Sequence, residues 1–97
     1  MCLLTMPVSI TTAQWWIYIL RCKDNTLYTG ITTDIERRLA EHNTDDSLAA
    51  KYTRSRRPLH LLYQEAANSR AEASRRELEI KRLSKAAKEK LISPHGD

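Results

Sequence analysis

The sequence predicts an α+β fold, a small three-stranded, mostly antiparallel sheet flanked by helices. Three observations carry this. Residues 15–31 read as two strand segments joined by turn residues, and residues 59–66 as a third. Two capping boxes, Thr33 with Glu36 and Ser69 with Glu72, each open a helical stretch. Within those stretches apolar residues recur at three- and four-residue steps. A chain of 97 residues makes one domain with one modest core, so a site belongs on its surface or in a shallow groove.

The first strand is Trp15 to Cys22, WWIYILRC, rich in aromatic and β-branched residues. Lys23-Asp24-Asn25-Thr26 supplies turn chemistry, and Leu27 to Ile31 is the second strand of a hairpin. Loop length sets which side chains share a face. A three-residue loop of Asp24, Asn25 and Thr26 points Tyr18, Leu20, Tyr28 and Gly30 to one side. A two-residue loop would separate the tyrosines. The odd loop is the expectation, with Tyr18 and Tyr28 working together.

The first helix is expected from about Asp34 to Asn43. Its inward lane holds Ile35, Arg38, Leu39 and His42, and two of these are not apolar. A charged head taken partly from water costs several kcal/mol unless it is paired, so Arg38 should meet something. Thr44 to Lys51 reads as a polar loop. Lys51 to Arg57, KYTRSRR, carries the cations Lys51, Arg54, Arg56 and Arg57 with one tyrosine and no acid. Such a run suits either a solvated loop or contact with a phosphate backbone. Leu59 to Ala66 is the third strand, with His60 and Gln64 facing water. A helix from about Arg70 to Leu83 follows, and Ser84 caps a third helix through Leu91. Their shared lane runs Ala73, Glu77, Ile80, Leu83, Ala87 and Leu91, and Glu77 is again a charge in an apolar lane.

Sixteen basic against 12 acidic residues give a net charge of +4, which favours a polyanionic partner. Two cysteines, Cys2 and Cys22, form no metal-binding spacing and no disulfide framework. A reducing compartment, the cytoplasm, is the default. Residues 1–14 lack a basic leader and a long apolar run, and read as a flexible extension rather than a signal peptide or membrane span. The organisation expected is an extension at 1–14, one domain at 15–92 and a tail at 93–97.

Arg38 and Glu77 are the two ionisable groups that interrupt apolar lanes. The plain explanation is that they pair with each other in the interior. The functional one is a site: a carboxylate, a guanidinium, an imidazole and two phenols around one groove. A carboxylate suits Mg²⁺, which keeps most of its waters and often takes only one or two protein ligands. Arginine suits a phosphate gaining charge in a transition state. A phenol or imidazole can accept a proton from an attacking water. These are the parts of a metal-assisted phosphodiester hydrolase.

The chain resembles the GIY-YIG nuclease superfamily, in its small stand-alone branch, over about Trp16 to Ile92. Trp16-Ile17-Tyr18 stands at the GIY element and Tyr28-Thr29-Gly30 at the YIG element. The stretches GITTDIERRLAEH, KYTRSRRPL and RRELEIKRLSK look like that branch. Two positions depart from the family pattern. Trp16 replaces the name-giving glycine, a change familiar in the stand-alone branch, and Glu89 stands where some members have asparagine.

The resemblance implies roles for named residues. Glu77 matches the single metal-binding glutamate, with Mg²⁺ or Mn²⁺ as the ion. Arg38 matches the catalytic arginine, and Arg37 beside it should point elsewhere. His42 matches a histidine that takes a proton from a tyrosine. Tyr18 and Tyr28 match the active-site tyrosines, one of them the general base, with the choice between them open. A phenol with a pKa of about 10 is a poor base at neutral pH and needs help from a cation, a metal-bound water or His42. Gly30 leaves room for a phosphate or an unusual backbone angle, or is a plain turn glycine. The function implied is a metal-dependent endonuclease acting on DNA. The competing reading is a nucleic-acid-binding module with weak or no catalysis.

Overall fold

The computed structural model describes residues 14–93. The expected extension at 1–14 and tail at 93–97 lie almost wholly outside the described residues. The order is β1 (Trp15–Arg21), β2 (Leu27–Thr32), α1 (Ile35–Thr44), α2 (Lys51–Arg54), β3 (His60–Ala67), α3 (Arg70–Lys81) and α4 (Lys85–Ile92). The three strands form one antiparallel sheet in the order β2-β1-β3, so the β2–β1 hairpin leaves β2 at an edge. This is the α+β fold that the sequence predicts.

The hairpin has an odd loop, displaced by one residue from expectation. Cys22 and Thr26 close it, and Lys23, Asp24 and Asn25 form it. The Cys22 carbonyl accepts from the Asn25 amide, and the Cys22 amide donates to the Thr26 carbonyl, each at 2.9 Å. Asn25 takes a left-handed φ of 70°, as the third residue of such a loop does. The resulting register pairs Tyr18 with Gly30 and Leu20 with Tyr28. Tyr18 and Tyr28 therefore share a face.

Each face of the sheet has its own core. Ile17 and Ile19 point to one side and pack with Ala67, Ala73 and Ile80 under α3 and α4. Tyr18, Leu20 and Cys22 point to the other and pack with Leu59, Ile35 and Leu39 under α1. A register shift between Ile19 and Leu20 on the β1–β3 side opposes Tyr63 to Ile19 but Leu61 to Leu20. Tyr63 and Leu61 thus serve opposite cores. His60 and Gln64 are exposed, as expected.

Helix starts follow side-chain caps. Ser69 accepts from the Glu72 amide and Ser84 from the Ala87 amide, both as read from sequence. At α1 the cap is Asp34, whose carboxylate accepts from the Arg37 amide, rather than Thr33. The Thr32 hydroxyl accepts from the Asp34 amide, which sets Asp34 as the first residue able to turn the chain. The expected loop at 44–51 ends in a helical turn, α2, which brings Tyr52 and Thr53 against α1. The expected helix to Leu83 stops two residues earlier. Arg82 caps α3, and Leu83 is 37% exposed rather than in the lane. The Arg21 guanidinium grips the Glu89 carboxylate with two bonds of 2.8 and 3.0 Å, tying α4 to β1.

Candidate active site

The site grows from Tyr18, on the central strand and 3% exposed. Its hydroxyl lies 2.9 Å from His42 Nε2, and His42 Nδ1 lies 2.8 Å from the Thr53 hydroxyl. Thr53 has one proton and donates it to the Ala50 carbonyl at 2.9 Å. It must therefore accept from His42 Nδ1–H. That leaves Nε2 as the acceptor and makes Tyr18 the donor. His42 and Thr53 are fully buried, so the tautomer is locked in a dry interior.

The ionisation of these groups follows from burial. His42 is pushed down to about 4, first by desolvation and then by the Arg38 charge, with Arg57 acting the same way and Glu41 opposing. Tyr18 is held well above the ordinary phenol range, first by desolvation and then by Tyr28. Arg38 pulls it down and Glu77 pushes it up. At neutral pH the pair is a neutral phenol donating to a neutral imidazole. The same interactions place Tyr28, Arg38 and Glu77 within electrostatic reach of one hydroxyl.

Gly30 has a specific reason to be glycine, neither of those expected. A Cβ at Gly30 would stand 2.5 Å from the Tyr18 hydroxyl oxygen and 2.7 Å from Cζ. The phenol lies directly over the bare backbone of the neighbouring strand.

Tyr28 is half-buried and sits edge-on to His42, with ring centroids 5.2 Å apart. Its ring stacks with that of Tyr52 at 6.0 Å and 23°. The Arg56 guanidinium lies 3.9 Å from the Tyr52 ring centroid. Arg38 meets Glu41 at 2.9 Å and the Leu48 carbonyl at 2.7 Å, both through Nη1. A further side-chain hydrogen-bond interaction joins the Arg38 guanidinium to the Tyr18 hydroxyl. Arg38 and Glu77 do not pair with each other: the Glu77 carboxylate takes Lys81 at 3.2 Å, one turn along α3. The plain pairing explanation for the two lane charges fails.

Among the described residues no three His, Cys, Asp or Glu side chains converge as a closed metal cage. Glu77 offers one hard carboxylate, partly exposed. This donor fits a Mg²⁺ or Mn²⁺ ion that retains its waters and takes its other contacts from a phosphate. It does not fit Zn²⁺, whose sites need three or four protein ligands.

The basic stretch divides in two. Arg56 bonds Asp24 and the Tyr52 carbonyl, and Arg57 bonds the His42 carbonyl and Asp46. Lys51 and Arg54 are exposed beside them. Sequence reasoning missed Tyr52 and Thr53 as site residues. Both lie in KYTRSRR, where the run of cations was the dominant signal and the buried threonine carried none of its own.

Two tyrosines, an arginine and a histidine thus gather at one face of a small antiparallel sheet, with a glutamate of α3 in electrostatic reach of the same hydroxyl. The chain belongs to the GIY-YIG family: residues 14–90 match its catalytic domain. It is similar to a UPF0213 protein of Desulfotalea psychrophila, 54% identical over 80% of this chain and 70% of the relative. A UPF0213 protein of Staphylococcus haemolyticus is 52% identical over 82% of this chain and 95% of its own. Two solution NMR structures share the fold. A Bacillus halodurans UPF0213 protein has a TM-score of 0.54 at 46% identity, covering 86% of each chain. An E. faecalis protein has a TM-score of 0.57 at 36% identity, covering 87% of this chain and 88% of that one. No helix among the described residues is long and apolar enough to cross a membrane.

Proposed function

We propose that the protein is a metal-dependent endonuclease that hydrolyses phosphodiester bonds of DNA. The observation that carries this is the convergence of Tyr28, Arg38 and Glu77 on the Tyr18 hydroxyl, with the Arg38 guanidinium held by Glu41 and the Leu48 carbonyl. A guanidinium held in place in this way is preorganised for a phosphate. Glu77 would hold the divalent ion, which when bound supplies charge neutralisation at the phosphate. Tyr18 acts as a neutral donor fixed by His42 rather than as the base. Its proton is engaged, and the neighbouring imidazole is too acidic in its protonated form to take that proton. Tyr28, half-exposed, is then the phenol placed to act as base: it gives its own proton to solvent and, as the phenolate, accepts one from the attacking water. Lys51 and Arg54, both exposed, meet the backbone of the DNA, while Arg56 and Arg57 hold the site together. The buried free thiol of Cys22 fits the cytoplasm.

The test is cleavage of supercoiled plasmid, single-stranded and branched DNA, with and without Mg²⁺ or Mn²⁺. Glu77→Ala and Arg38→Ala should each lose on the order of a hundredfold or more in rate. A second reading, a binding module without catalysis, is favoured by the Glu77–Lys81 ion pair, which occupies the one carboxylate a metal would need. Salt-sensitive DNA binding with no cutting under any metal would establish it.

A further inference from the structure

The edge of the sheet beside Tyr28 holds a pocket that, of the proposed catalytic residues, only Tyr28 lines. Leu27, Tyr28, Thr29, Tyr52, Lys81 and Lys88 line about 250 Å³. That is below the range of about 300–1,000 Å³ usual for small-molecule sites, and its composition is unlike theirs. Two lysines line it, Lys81 from the last turn of α3 and Lys88 from the middle of α4. Lys88 is half-buried and forms no ion pair among the described residues. An unpaired, partly desolvated cation beside a cavity favours an anion there. The pocket floor is β2, an edge strand, whose outward backbone groups have no neighbouring strand to bond among the described residues. Sheet edges of this kind form anion-binding concavities. Tyr52, 38% exposed, closes the far side with an aromatic ring.

We propose that this pocket is a phosphate subsite, in which Lys88 and Lys81 hold the sugar–phosphate backbone of the substrate next to the bond that is cut. The proposal rests on the nuclease reading, since Tyr28 is the shared wall between the pocket and the cluster around Tyr18. It names a backbone contact without base recognition. Lys88 supplies a standing charge, and Lys81 supplies one that it divides with Glu77.

The test is equilibrium binding of fluorescein-labelled single-stranded and duplex DNA over a range of salt concentrations, in EDTA, so that cleavage plays no part. Lys88→Gln should flatten the dependence of log affinity on log salt by about 0.7–0.9 and weaken binding alike for all sequences. Lys90→Gln, on the same helix but outside the pocket, should leave the slope unchanged. An unchanged slope in Lys88→Gln, with the parent protein binding and cutting normally, would overturn the subsite alone. A parent protein with no salt-dependent DNA binding would overturn the nuclease reading with it.

Discussion

The Tyr18 hydroxyl and His42 Nε2 lie 2.9 Å apart, and both residues are buried. Thr53 fixes the direction of that bond from the far side of the imidazole. Strand, helix and helical turn are thereby joined through three side chains. Burial keeps both titratable groups neutral, and the bond points the Tyr18 oxygen lone pairs away from the imidazole.

This neutrality makes stability depend on pH. Unfolded, His42 binds a proton below its ordinary value of 6.5; folded, it does so only below about 4. Stability is therefore full above 6.5 and falls as acid favours the unfolded chain through that window. The full loss approaches about 3 kcal/mol. Asp24, Asp45 and Glu89 are held low by Thr26, Ser47 and Arg21, and add their own loss only further down. Urea midpoints at about pH 7.5 and about pH 5 should differ clearly in the parent protein and much less in His42→Gln. An equal difference in both would mean that His42 is not the group responsible.

The two tyrosines should separate cleanly under mutation. Tyr18→Phe strands His42 Nε2 in the core and should cost about 1–3 kcal/mol of stability. Tyr28→Phe leaves no buried partner unpaired and should unfold within about 0.5 kcal/mol of the parent. On a cleaved DNA substrate the order reverses, with Tyr28→Phe losing more rate per unit of stability lost. Matched losses of stability and rate in both would contradict the division of roles.

Much of this arrangement is legible in the sequence, for reasons that differ by residue. Loop parity alone decides whether Tyr18 and Tyr28 share a face, because β1 is buried on both sides and its pattern does not fix the register; the odd loop follows only from expecting the two tyrosines to work together. Ser69 reads as a cap because Glu72 completes a capping box with it, and Ser84 because no other cap residue adjoins it. Thr32-Thr33-Asp34 offers three cap residues in a row, and tertiary context decides among them. Arg38 and Glu77 stand out as charges in apolar lanes. Thr53 and the Arg21–Glu89 clip are invisible to such reasoning. Thr53 gains its role from a single helical turn with no periodicity, and Arg21 and Glu89 are 68 residues apart.

Thr53 carries a sharper test. Thr53→Val keeps shape but leaves His42 Nδ1–H unpaired in the core, a cost of about 1–3 kcal/mol. Thr53→Ser keeps the hydroxyl and loses only a methyl, close to about 0.8 kcal/mol. NMR of the His42 ring nitrogens should show Nδ1–H in the parent and in Thr53→Ser. A mixture of tautomers in the parent would remove the assignment of Tyr18 as donor.

Gly30 should tolerate no side chain. In Gly30→Ala the new methyl meets the Tyr18 ring, which is locked by His42 and cannot swing aside without breaking a buried bond. The expected cost is about 1–3 kcal/mol or more, with loss of the Tyr18–His42 hydrogen bond in the NMR spectrum. A stable Gly30→Ala protein with that bond intact would show that the strand itself gives way.

Lys81 competes with any cation for Glu77. Their contact of 3.2 Å is half-exposed, in the class of pairs worth about 0.2–1 kcal/mol. Lys81→Met removes the competitor and the repulsion together, and should tighten Mn²⁺ binding about 1.5- to 5-fold. Titration without nucleic acid, by calorimetry or by the electron spin resonance of free Mn²⁺, reads this directly. Glu77→Ala should abolish the bound fraction in either background. Unchanged Mn²⁺ affinity in Lys81→Met, with binding still lost in Glu77→Ala, would mean that the lysine already stands clear of the ion's side of the carboxylate. No Mn²⁺ binding in any variant would remove Glu77 as the holder of the metal.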